Sequence, residues 1–226
     1  VSDIDSVIGG SASTDELTLL SAGSVAISAI DTVTGSTGAD TLALLVGGTV
    51  EVSAIESVIG SAGSDDALVL SEAAADVRVS GVETVPGQSG GTDKVTMLAG
   101  GGLSVSDVAS VVGSTGAGDV LTLLNGAAVA VSAIESVIGS TDTADHVTLS
   151  THGNLSVSSV ESVTGSGNTG SSGDVLTLLD GTALSVAGVA SVIGSSGTAD
   201  VVTQTTQDTT LAVSAVETVV GAGGSA

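Results

Sequence analysis

The chain contains no phenylalanine, tyrosine, tryptophan or cysteine. Without cysteine there are no disulfides, thiol nucleophiles or thiolate metal sites, and without aromatic rings the usual stacking platforms for sugars and bases are gone. Basic residues are almost as scarce: Arg78 and Lys94 stand against 25 acidic residues, a formal net charge of −23. Nucleic acid and anionic membrane surfaces are excluded as partners, because binding a polyanion requires a basic surface. Divalent cations become the natural small partners. The stretch from Gly181 to Ala199 carries no charge, yet its glycines and hydroxyl residues follow the pattern of the rest of the chain, so membrane insertion is not expected.

What fills the chain is one recurring phrase, [Ser/Ala]-x-[Ile/Val]-x-[Ser/Thr]-Val-x-Gly. It closes at Gly9, Gly35, Gly60, Gly87, Gly113, Gly139, Gly165, Gly194 and Gly221, a near-constant period. A repeating unit of this size cannot bury its own apolar face and must stack on its neighbours. Residues 1–226 therefore read as a single repeat array of about eight and a half coils, with no second domain. The pattern is already running at Val1 and still running at Ala226, so a mature product or a segment of something longer is expected.

Three apolar phrases make up each period. The first follows an aspartate and alternates, as in Asp40-Thr-Leu42-Ala-Leu44. The second alternates again, as in Val50/Val52. The third pairs aliphatics three apart, as in Ile30/Val33 or Ile55/Val58, a spacing that breaks strand alternation and implies a bend. No segment keeps helical spacing over ten residues. The expected fold is an all-β parallel β-solenoid (β-helix or β-roll) of about 26 residues and three short strands per coil, right-handed as parallel crossovers are. On that reading Val137 faces inward between Val111 and Val163 of neighbouring coils. Both end coils should expose open strand edges, so end-to-end stacking with another copy of the chain or with a continuing chain is the expected association.

Residues at one position should then form ladders. One runs through Asp40, Asp66, Asp93, Asp119, Asp145, Asp174 and Asp200, each after a glycine-rich turn. An aspartate there can cap the turn through its own backbone or, in a stack, hold a metal. A second acidic ladder runs through Asp5, Asp31, Glu56, Glu83, Glu135, Glu161 and Glu217, interrupted by Ala109 and Ala190. Outward carboxylates about 4.8 Å apart would repel, so Glu135→Ala is expected to be neutral or slightly stabilising. Thr18, Thr96, Thr122, Thr148, Thr177 and Thr203 form a partial threonine ladder, explained first by strand preference although such arrays can bind ice. His146 and His152 occur in one coil only and are expected to be solvated.

The turn Gly35-Ser-Thr-Gly-Ala-Asp40-Thr-Leu42 and its variants at Gly60 to Leu68, Gly113 to Leu121 and Gly194 to Val202 resemble the nonapeptide G-G-x-G-x-D-x-U-x of the RTX, or haemolysin-type, calcium-binding repeats. In this chain serine usually replaces the second glycine, and most copies insert a residue before the aspartate. The resemblance implies a β-roll, calcium as a cofactor, and the seven aspartates from Asp40 to Asp200 as its ligands, Asp40 matching directly. It also implies a secreted bacterial protein, located outside the cell or on its surface. Enzymatic activity is not expected, because no loop interrupts the period to bring acid, base and cationic groups together. Two functions follow: an extracellular structural protein that forms or joins a fibre, stalk, surface layer or matrix, or a calcium-binding module of a larger secreted protein or adhesin.

Overall fold

The computed structural model describes residues 1, 4–10, 14–63, 65–126, 128–141, 145–167, 173–181, 183–196, 199–206 and 210–223. The chain divides into two compact units, Val1–Gly116 and Ala117–Ala226. Among the described residues there are only strands, turns and bends, and the strands run parallel, so the β-solenoid expected from the repeats is what forms.

The first unit contains β1 (Ser6–Ile8), β2 (Glu16–Thr18), β3 (Gly23–Ser28), β4 (Thr32–Thr34), β5 (Asp40–Leu44), β6 (Gly48–Ser53) and β7 (Ser57–Ile59). It continues with β8 (Asp66–Leu70), β9 (Asp76–Ser80), β10 (Thr84–Pro86), β11 (Lys94–Met97), β12 (Gly102–Ser106) and β13 (Ser110–Val112). Odd strands stack in one sheet as β1-β3-β5-β7-β9-β11-β13, even strands in a second as β2-β4-β6-β8-β10-β12. The second unit repeats the plan with β14 (Val120–Leu123), β15 (Ala128–Ser132), β16 (Ser136–Ile138), β17 (His146–Leu149), β18 (Asn154–Ser158) and β19 (Ser162–Thr164). After them come β20 (Val175–Leu178), β21 (Ala183–Ala187), β22 (Ser191–Ile193), β23 (Val201–Gln204), β24 (Ala212–Ser214) and β25 (Thr218–Val220). There the orders are β14-β16-β18-β20-β22-β24 and β15-β17-β19-β21-β23-β25.

Each turn of the solenoid therefore holds two strands, and the expected coil of three strands per repeat is corrected. Leu42 pairs with Val58 and Val58 with Val79, steps along the chain that fall well short of one repeat period. Val7 and Val58 hold the same repeat position two periods apart, yet they lie three strands apart in one sheet, so three turns contain two sequence periods. Every junction carries the chain from one sheet to the other. Three strands per period on two sheets is an odd number, and like strands return to the same sheet only in every second period. Within each sheet a third-phrase strand is followed by a second-phrase and then a first-phrase strand.

The core is a column of unlike aliphatics. Val7, Ile27 and Leu44 are successive partners in the first unit, and Leu121, Val137 and Val157 in the second. Val137 is fully buried, as expected, but its neighbours are Leu121 and Val157 rather than Val111 and Val163. The three-residue spacing in the third phrase is a corner. Ile30 plugs the end of the core before β4 begins, and Val33 enters the sheet.

The residue before each such corner takes a left-handed conformation, with φ near 53° at Ala29, 51° at Ala54 and 52° at Ala133; Gly81 and Gly188 occupy the same position. An alanine held there costs about 1 kcal/mol or more, which glycine avoids. Ala54→Gly is expected to be neutral to stabilising by about 0.5 kcal/mol after the unfolded chain's gain in freedom is counted. Denaturant unfolding checks this, and a loss of about 1 kcal/mol would contradict the strain.

Candidate functional site

The recurring geometry of each repeat lies at the glycine-to-aspartate corner. Gly35 follows β4, the chain loops outward, and Asp40 opens β5 with its carboxylate folded back over the glycine. Asp40 Oδ2 accepts the Ser36 N–H at 2.6 Å and the Ser36 hydroxyl at 2.9 Å, while Oδ1 accepts the N–H of Gly23 in the preceding turn at 3.1 Å. The corner recurs. Asp66 takes the Ser61 N–H and hydroxyl, Asp145 those of Ser140, Asp174 those of Ser166 and Asp200 those of Ser195. Asp93 takes the N–H of Gln88 and, across the turn, of Ala75.

These aspartates are not outward. Asp40, Asp66, Asp93, Asp119, Asp145, Asp174 and Asp200 are all at most 1% exposed. A buried carboxylate must be met by donors, and the serine that replaces the second glycine of the RTX-like turn supplies one. The Oδ2 atoms are thus occupied by N–H and O–H donors of the corner itself. Nor are the seven stacked: Asp40 and Asp93 lie at the start of strands of one sheet and Asp66 at the start of a strand of the other. Among the described residues no group of three or more His, Asp or Glu side chains is placed to hold a metal. Asp66 Oδ1 is buried with no hydrogen-bond partner among the described residues.

The second acidic series also has a structural task. Every member but Asp5 lies one turn beyond an aspartate and accepts that aspartate's own N–H: Asp31 from Asp15, Glu56 from Asp40, Glu83 from Asp66, Glu135 from Asp119, Glu161 from Asp145 and Glu217 from Asp200, at 2.7–2.9 Å. Several return the bond through the backbone, Glu83 N–H and Glu135 N–H donating to the carbonyls of Asp66 and Asp119. The ladder of carboxylates on adjacent strands is thus corrected. Asp31 and Glu83 sit three strands apart along one sheet, roughly 14 Å, beyond the ~8 Å screening length at physiological salt.

Glu135 Oε2 accepts the N–H groups of Gly118 and Asp119 at 3.0 and 2.8 Å. The expectation that Glu135→Ala would be neutral or stabilising is therefore replaced. The loss should be about 1 kcal/mol, limited because Ala109 and Ala190 close two natural corners without a carboxylate. Glu135→Gln should recover part of it. Chemical denaturation of the three proteins is the check, and equal stability would remove the capping role.

Outward rows mix the three phrases. Val120, Ser136, Ser156, Thr177 and Ile193 are successive neighbours on one face of the second unit, so the threonines do not form an array of their own. His146 Nε2 lies 3.3 Å from Thr164 Oγ1, and His152 lines a surface cleft beside Glu135. Lys94 pairs with Asp76 at 3.2 Å in an exposed ion pair that adds little stability. Sequence reasoning missed Glu72 and Asp180, which bond the left-handed bends across a turn: Ala54 N–H to Glu72 Oε1 at 2.9 Å, and the Ser158 and Ser159 hydroxyls to Asp180 Oδ2 at 2.9 and 3.3 Å. The pairing they make is invisible to a reading of one coil per repeat, which puts each of them in the wrong register with the bend it fills. No family model, curated protein or solved structure matches this chain.

Proposed function

We propose that the chain is an extracellular structural repeat protein that forms or joins a fibre, stalk, surface layer or matrix by stacking of solenoid coils. The observation that carries this reading is the stacking itself. Val186 and Val192 are 2% and 0% exposed because each is covered by strands of the turns on either side. Val186 lies between Val163 and Gln204 and Val192 between Leu176 and Val213, so the array gains its core by adding coils. Most of the acidic side chains are engaged in corners of the array itself, which supports reading them as parts of a scaffold.

Sedimentation velocity over a hundredfold concentration range, with negative-stain imaging, tests the proposal. End-to-end oligomers or filaments are expected, and a monomer throughout would overturn it. The buried Asp66 Oδ1 favours a second reading, a calcium-binding module of a larger secreted protein. On that reading millimolar calcium raises the melting temperature above that in sodium chloride of equal ionic strength, and Asp66→Asn removes the difference. Equal effects of the two salts would exclude it.

A further inference from the structure

Two segments of the second unit, residues 118–126 and 173–181, are identical but for one position, where the first has Asn125 and the second Asp180. Each covers a first-phrase strand, β14 or β20, and enters the junction that leads to a second-phrase strand. Asp180 shows that this position accommodates a carboxylate, its Oδ2 accepting the Ser158 and Ser159 hydroxyls at 2.9 and 3.3 Å. Glu72 of the first unit, likewise two residues past the last core leucine of its strand, accepts the Ala54 N–H. Asn125 is followed by Gly126, the one Asn-Gly pair of the chain. Asn125 is half-buried and Gly126 exposed, and both lie in a bend outside the strands. The Gly126 N–H has no hydrogen-bond partner among the described residues. A glycine nitrogen held by no ladder and shielded by no Cβ is free to turn onto the carbonyl of the side chain before it.

We propose that Asn125 is a self-modification site, converted without an enzyme to aspartate and isoaspartate while the array stays folded. The Gly126 nitrogen gives its proton to hydroxide and attacks the side-chain carbonyl carbon of Asn125. The new C–N bond closes a succinimide ring as the bond to the amide nitrogen breaks, and ammonia leaves. Water then opens the ring, so the balance is amide plus water to carboxylate plus ammonium, with no oxidant or reductant. Opening at the side-chain carbon leaves aspartate, and with it the Asp-Gly pair already present at Asp180 and Gly181. Opening at the main-chain carbon leaves isoaspartate, which lengthens the backbone by a carbon atom. The junction has room for that, because its counterparts vary from residues 45–47 between β5 and β6 to residues 71–75 between β8 and β9. Asn154 is an internal control. The residue after it, Leu155, is 1% exposed and sits in β18 opposite Leu176, so its nitrogen is fixed in extended backbone and hindered by a branched side chain.

Ageing of the folded protein in mildly alkaline buffer at physiological temperature tests this. Peptide mass mapping reads the mass gain of amide-to-acid hydrolysis at each asparagine, and enzymatic isoaspartyl methylation reads the isomer. Conversion at Asn125 should run at least about tenfold faster than at Asn154, and Gly126→Ala should slow it by about the same factor. The aged protein and the Asn125→Asp variant should keep the circular dichroism and the cooperative unfolding of the fresh protein. A parallel sample aged in urea needs no variant and separates the folded chain from the unfolded one. Equal rates at the two asparagines, conversion at Asn125 only in urea, or no effect of Gly126→Ala in a folded variant would overturn the proposal. Loss of strand structure on ageing or in Asn125→Asp would overturn it too, since the array would then not tolerate the product.

Discussion

Val137→Asp should cost about 4 kcal/mol and unfold at least the turns around it. Val137 is fully buried, stacked between Leu121 and Val157 in a sheet whose inner face holds only aliphatics at these positions. A carboxylate there has no N–H, hydroxyl or cation within the stack to meet it, and an uncompensated buried charge costs several kcal/mol, as does the lost aliphatic contact. The neighbouring outward residue provides the control. Ser136 lies on the opposite side of the same strand, beside Val120 and Ser156, and Ser136→Asp should cost less than about 1 kcal/mol. Denaturant unfolding of both variants separates the faces, and a tolerated Val137→Asp would mean that the inward assignment is wrong.

Gly139→Ala should be of similar severity for a different reason. A Cβ at Gly139 would lie 1.8 Å from the Ser159 carbonyl oxygen and 2.8 Å from Asp145 Oδ2. The first of these is backbone, and cannot yield without displacing the left-handed bend at Ser159, whose φ is 53°. The second is the carboxylate that holds the corner through Ser140. Loss of the close approach and of the buried hydrogen bonds together should cost about 3 kcal/mol or more. Gly221 occupies the same place in the repeat, but a Cβ there would meet no atom within 4 Å, so Gly221→Ala should be silent. Similar losses at both positions would show that glycine is needed for its backbone freedom and not for space.

The closing glycines are the most regular feature of the sequence, and the reason appears only once the turns are stacked. The alternation in Asp40 to Leu44 and in Val50/Val52 is enough to read parallel strands with one buried face. What periodicity could not reveal is how many strands make a turn, since a repeat of this length fits one three-strand coil or one and a half two-strand coils equally well. The difference rearranges the surface. Glu135 and Glu161, read as neighbours in one ladder, belong to corners on different sheets, and each caps an aspartate one turn back. Asp40 and its counterparts stand out by their spacing after glycine, but their burial depends on the serine hydroxyl and the cross-turn N–H groups, which no local pattern displays.

Cysteine pairing distinguishes the two coil geometries directly, because the chain has no cysteine of its own. Ser136 and Ser156 are side-by-side partners on an outward face, whereas Ser136 and Ser162 are equivalent positions in successive repeats and lie on different sheets. Adjacent parallel strands place paired residues about 4.8 Å apart, within the range a disulfide spans. Two strands per turn predicts that the Ser136→Cys/Ser156→Cys protein oxidises readily to an intramolecular disulfide in the native state, while Ser136→Cys/Ser162→Cys does not. Rapid oxidation of the second pair with none of the first would restore one coil per repeat and contradict the two-sheet solenoid.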